Sequence, residues 1–196
     1  FLILYFDEFD DKRAFKKYEE YRESLLLSYS DEGWFLEYDG IDLGYLTTTI
    51  SFIAKYWKYY KDEKLLNCII KSIETTSHFI CPDGSFGGAL GSRQTLHFYP
   101  HGYEVFGEKY PLAQKCADAM LQFLKNGFLV PPEIQSDRYI YYRIEEYILS
   151  YLDYSKRART KEKLAFEKTN FSRYLEKAGC YINKQKDYFT IINFSK

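Results

Sequence analysis

The sequence predicts a mainly α protein, an array of helical hairpins followed by a short β segment, and three observations carry that prediction. Asp83-Gly84-Ser85-Phe86-Gly87-Gly88 comes directly after an apolar, helix-periodic run ending at Ile80, and it is echoed 51 residues earlier by Glu32-Gly33-Trp34-Phe35. Two helix-length segments, residues 46–60 and 63–80, lie between the two copies. One period of about 50 residues therefore holds one helical hairpin, the pattern of an α-helical array or a closed ring of hairpins. Past a charged stretch at residues 156–168 the chain turns from helix-periodic to β-prone.

In chain order, residues 14–27 carry apolar and charged side chains at helical spacing, and residues 28–32 supply a turn. Asp42 is placed to cap the next helix, in which Ile50, Ile53, Ala54 and Trp57 share one face while Lys55 and Lys58 point elsewhere. Asp62 caps the following one, whose stripe is Leu65, Leu66, Ile69, Ile70 and Ile73, and Pro82 stops it. Residues 84–107 hold more than half of the eleven glycines and read as a long ordered loop, a kind of segment that is usually functional in a compact domain. Residues 111–128 form a further amphipathic helix with Ala113, Cys116, Ala117, Met120, Leu121 and Leu124 as its stripe. After Pro131-Pro132, residues 139–154 resume the pattern, with Ile140, Ile144, Tyr147, Ile148, Tyr151 and Leu152 as the core-facing side. Two β-prone runs, 174–182 and 188–194, flank Gln185-Lys186-Asp187 as a hairpin. A lone hairpin is marginal in water, so these strands either begin a larger sheet or lie against the helices. The expected division is residues 1–160 as helical hairpins and 161–196 as linker and hairpin, the start of a C-terminal β domain.

Composition narrows the function classes. A net charge of −1 gives no basic footprint, which argues against nucleic-acid binding. No apolar run approaches the roughly 20 residues that cross a bilayer. The opening Phe1-Leu2-Ile3-Leu4-Tyr5-Phe6 is too short for a secretion-signal core and has no initiator Met before it, so the chain reads as a piece of something longer, cytoplasmic if complete. Cys68, Cys81, Cys116 and Cys180 show none of the close pairs of a zinc or redox motif and read as buried thiols; with three scattered histidines, no metal and no cofactor is expected. Twenty-one tyrosines suit either ordinary packing or a cleft for polar sugars.

The repeated acidic-glycine-aromatic turn between helical segments resembles the α/α-toroid proteins, in which Asp-Gly-Ser-aromatic turns join inner and outer helices. That resemblance implies an incomplete toroid here. Its members include polysaccharide lyases, glycoside hydrolases, uronate epimerases and terpenoid cyclases, so it speaks to architecture before reaction. A β segment after a toroid resembles in particular the heparinase II/III-like lyases, which implies a β-sandwich beginning at the C-terminus and an acidic polysaccharide as partner.

The densest polar cluster, from Gly91 to Glu104, holds Arg93, His97, Tyr99, His101, Tyr103 and Glu104. Such a set suits uronic-acid chemistry: Arg93 pairs with a substrate carboxylate in bidentate fashion, and Tyr99, His101 or His97 moves the adjacent proton. Tyr103, Glu104, Tyr38 and Asp39 complete the expected binding set. The competing reading folds the loop back on the helices, with Arg93 on backbone carbonyls and the histidines in local turns. Asp39 and Asp42 could alternatively form a glycosidase pair, although turn formation and helix capping explain both. Asp83 reads as an Asx turn and His78 as a packed or capping histidine, and the glycosylation patterns at Asn170 and Asn193 read as chance. From a different class, a helical-hairpin array also serves as a non-catalytic binding scaffold.

Overall fold

The computed structural model describes residues 1–92, 94–130, 137–154 and 160–194. Helices α1 (Leu2–Phe9) and α2 (Lys12–Leu27) form a first hairpin, and Asp11 caps α2 by accepting from the Arg13 amide at 2.9 Å. A two-residue ladder follows, β1 (Tyr29–Ser30) antiparallel to β2 (Trp34–Phe35). Helix α3 (Leu43–Tyr59) starts where the sequence places its cap, the Tyr45 amide donating to Asp42 Oδ1 at 2.8 Å. Asp62 does the same for α4 (Glu63–Ser77), accepting from the Lys64 and Leu65 amides at 3.0 and 3.2 Å.

The two echoed turns share their backbone. Gly33 has φ 87° and Gly84 φ 83°, left-handed values that a side chain makes costly. In the second copy Asp83 Oδ1 accepts from the Ser85 amide at 2.9 Å, the expected Asx turn. Trp34, Phe35 and Phe86 are all buried beside these turns. The repeat is thus real at the level of two turns and the hairpin between them; a toroid is not established by it.

Residues 84–107 depart from the predicted loop. A short 3-10 turn, Gly87–Leu90, and helix α5 (His101–Gly107) occupy much of the segment, leaving an irregular connection only between them. Gly102 hides this helix from a propensity reading, yet it is the residue that lets α5 approach α3: a Cβ there would stand 2.7 Å from Ile50 Cγ2. Helix α6 (Pro111–Lys125) carries Pro at its first position, where no amide partner is lost.

Helix α7 (Asp137–Asp153) forms as predicted, but the other way round. Ile144, Ile148, Tyr151 and Leu152, expected in the core, are 46%, 53%, 79% and 68% exposed, while Arg143 and Glu146 are each only 2% exposed. The cause lies on α3, which offers α7 the hydroxyl of Ser51 and the amines of Lys55 and Lys58. Ser51 Oγ lies 2.7 and 2.8 Å from the two Glu146 oxygens and shares its one proton between them, and Lys55 Nζ reaches Glu146 at 2.7 Å and Glu145 at 2.9 Å. Lys58 Nζ closes the seam on Asp153 at 2.7 Å.

The C-terminal segment holds three antiparallel strands in the order β3 (Asn170–Leu175), β4 (Cys180–Gln185), β5 (Tyr188–Asn193), one strand more than the predicted hairpin. The first predicted run breaks at Glu176–Gly179, where Gly179 takes φ 63°. Leu175, Ala178, Cys180 and Ile182 join the same buried cluster as α3, α4 and α6. The sheet is pinned by Glu32, whose carboxylate accepts from the Lys177 and Ala178 amides at 2.9 and 3.0 Å and from the Trp34 indole at 3.0 Å.

Candidate functional site

The irregular connection leading to α5 runs over the N-terminal part of α3, and its backbone is tied down there: the Tyr99 amide donates to Thr47 Oγ1 at 3.1 Å. This sets His97 and Tyr99, both half-buried, against the inward face of α7. Arg143 is the centre of the resulting cluster. Its Nη1 lies 2.9 Å from His97 Nδ1, and its Nη2 donates to the Tyr147 hydroxyl and, at 3.5 Å, to the Val130 carbonyl. The guanidinium carbon sits 5.7 Å from the Tyr99 ring centre and 5.3 Å from that of Tyr147, and the His97 ring lies 5.1 Å from Tyr139. Arg143 Nε has no partner among the described residues.

Electrostatics follow from that geometry. Burial lowers the pKa of His97, and the Arg143 charge lowers it further. Burial raises the pKa of Tyr99, while Arg143 opposes the rise. The cluster therefore joins a neutral imidazole, two phenols and a fixed cation, a set able to receive an anionic oxygen and to give it hydrogen bonds.

Beside the cluster, and sharing Tyr147 with it, a groove of about 490 Å³ opens between α5, α6 and α7. Met120 and Leu124 floor it, Tyr151 and Tyr154 edge it, and Glu104 enters from α5. That volume is within the range of small-ligand sites.

The other residues singled out in the sequence fall in several places. His101, the first residue of α5, is 1% exposed and its Nε2 pairs with Asp153 Oδ2 at 2.6 Å, so it belongs to the α3–α5–α7 seam and is parted from His97. Tyr103 is fully enclosed, sharing a hydrogen bond of 2.6 Å with Thr76, with its ring 4.8 Å from Phe98; this is a core position, not a cleft wall, because α5 turns it inward. Glu104 is 7% exposed and lines the groove. Tyr38 and Asp39 are exposed on the turn between β2 and α3, which meets the start of the connection where Ser92 Oγ donates to the Glu37 carbonyl at 3.0 Å. Arg93 lies outside the described residues. Asp42 caps α3, and His78 ends α4 with its ring 4.8 Å from Phe171, as a packed and capping histidine should.

Sequence reading missed Arg143 and Glu146, and gave Tyr147 a packing role only. The signal was present: Arg143, Glu146, Ser150 and Asp153 recur at helical spacing opposite the apolar stripe, a polar face as regular as the apolar one. Among the described residues no group of His, Cys, Asp or Glu could hold a metal ion, and no helix is long and apolar enough to cross a membrane.

Residues 29–102 match the family model described as the ulvan lyase N-terminal domain. The match spans both echoed turns, α3, α4 and the connection carrying His97 and Tyr99, and it points to a polysaccharide-lyase-related, carbohydrate-active protein. No curated protein and no solved structure matches the chain.

Proposed function

We propose that the chain is part of a lyase-type protein for acidic polysaccharides, and that it receives a uronate-bearing segment at the cluster of His97, Tyr99, Arg143 and Tyr147, with the groove beyond Tyr147 taking a neighbouring sugar. The observation that carries this reading is Arg143, a cation held between two phenols and an imidazole on a chain matched by a lyase-family domain. A carboxylate near that cation gains charge-assisted hydrogen bonds, and its neutralisation eases removal of the adjacent carbon-bound proton. Tyr99 and Tyr147 carry the hydroxyls suited to move that proton. Arg93, which precedes the cluster on the same connection, stays a candidate second clamp.

The test is to incubate the complete protein with uronate-containing polysaccharides and follow the ultraviolet absorbance of unsaturated products. Product formation that is lost in Tyr99→Phe, with melting unchanged, is expected; no product from any uronate polymer would remove lyase action. A scaffold reading has an observation of its own, the exposed apolar side of α7 together with Phe52 and Tyr59 on α3. The two part on oligouronate binding, which a scaffold does not require.

A further inference from the structure

We propose that Arg143 is a positioning residue that fixes the His97 proton on Nε2, so that the imidazole faces the site as a neutral hydrogen-bond donor and not as a base. A guanidinium has only N–H donors and no acceptor, so the 2.9 Å contact between Arg143 Nη1 and His97 Nδ1 requires the lone pair at Nδ1. A neutral imidazole has one lone pair and one N–H; with Nδ1 accepting, the proton resides on Nε2. A second proton would set N–H against N–H and cation against cation across that contact.

Arg143 has little freedom to turn away. It is 2% exposed, its Nη2 is engaged by the Tyr147 hydroxyl and the Val130 carbonyl, and its plane is flanked by the Tyr99 and Tyr147 rings. Among the described residues, the groups around His97 and Arg143 are Tyr139 and Tyr147 of α7 and Tyr99 of the connection, while the buried carboxylate of α7, Glu146, is held by Ser51 and Lys55 of α3. The direction of the His97 shift, downward through burial and then through Arg143, agrees with this arrangement.

The consequence for chemistry rests on the functional reading above. With Nδ1 occupied and Nε2 protonated, His97 offers a hydrogen bond to an oxygen that gathers negative charge, and any proton abstraction falls to a hydroxyl group such as that of Tyr99.

Nitrogen-detected NMR of the histidine-labelled protein tests the assignment, with the His97 signals identified by their loss in His97→Gln. The wild type should show the Nε2–H tautomer and titrate below an ordinary imidazole. Arg143→Met should release it, giving mixed tautomers and a midpoint raised toward the ordinary value, whereas Arg143→Lys, which keeps a donor, should retain Nε2–H. Should Arg143→Met not fold, Tyr147→Phe loosens the guanidinium without removing it and should raise the midpoint part of the way. A wild-type Nδ1–H tautomer, or an unaltered tautomer and titration in folded Arg143→Met, would overturn the assignment. None of these readings needs a substrate. Adding an oligouronate then separates the two ideas: movement of the Nε2 signal supports both, and an unmoved signal with the tautomer intact removes the glycan role while leaving Arg143 as the positioning residue.

Discussion

Helices α4 and α7 have sequence patterns of the same kind, an apolar stripe at helical spacing with charges opposite, and they dock by opposite faces. On α4 the stripe is inside: Leu65, Ile69 and Ile73 are 4%, 0% and 1% exposed. On α7 most of the stripe, Ile144, Ile148, Tyr151 and Leu152, is outside, and the helix is held by Arg143, Glu146 and Asp153 against His97, Ser51, Lys55, Lys58 and His101. Periodicity fixes that a helix forms; the side chains of the facing element fix which side it turns inward. A carboxylate loses its hydration on burial, and α3 returns it a hydrogen bond from Ser51 and a charge from Lys55.

The contrast can be broken most forcefully on α4. Ile69→Ala removes fully buried methylenes and should cost up to about 5 kcal/mol in chemical denaturation. A midpoint unmoved by that change would show that α4 is not the packed member of the pair. Next, Lys55→Met leaves Glu146 buried with only Ser51 to bond it and should cost about 3 kcal/mol, the low end for a broken buried pair because Ser51 remains. If it proves neutral, the seam is a surface ion pair and α7 is held by something else.

Acid should separate the two helices in the same way. His78, between α4 and the sheet, has its pKa lowered from 6.5 to about 4 by burial and then by Lys168 and Arg173. Between those values the unfolded state binds the extra proton, so the His78 contribution is complete above pH 6.5 and fades as pH falls toward 4, by about 3 kcal/mol. His78→Leu should flatten that part of the stability–pH curve, and an identical slope in mutant and parent would count against it. Asp153 on the seam behaves differently: burial opposes its ionisation, but hydrogen bonds from Lys58 and His101 win and hold its pKa below the ordinary 3.8. Its contribution is present above the ordinary carboxylate range and is lost only in stronger acid. The smallest expected effect is Ile148→Ser on the exposed side of α7, within about 0.5 kcal/mol of the parent. A loss of several times that would mean the outer stripe is covered in solution.

Legibility followed the same divide. Helices α3, α4 and α6 could be read because cap, stripe and stop agreed, as at Asp42 and Asp62 and at Pro111. Helix α5 could not, since Gly102 and Gly107 depress its propensity and its helicity comes from packing on α3 and α6. The third strand was missed because one β-prone run contained a turn at Gly179. For the site, His97 and Tyr99 were found as neighbours along the chain, but their cation lies 46 positions away, on the face of α7 that hydrophobic periodicity assigns to solvent.

Glu32 gives the molecule a signal of its own assembly. Its carboxylate joins the turn before β2 to backbone amides 145 and 146 positions further on, and it also receives the indole N–H of Trp34. Closing so long a loop costs on the order of 4 kcal/mol of chain entropy, more than one such amide bond returns, so the clasp forms once the helices already hold both ends near each other. Trp34 is one of two tryptophans in the chain. Its emission should therefore change late in refolding, after far-ultraviolet ellipticity has recovered, and mark the moment when the C-terminal strands arrive.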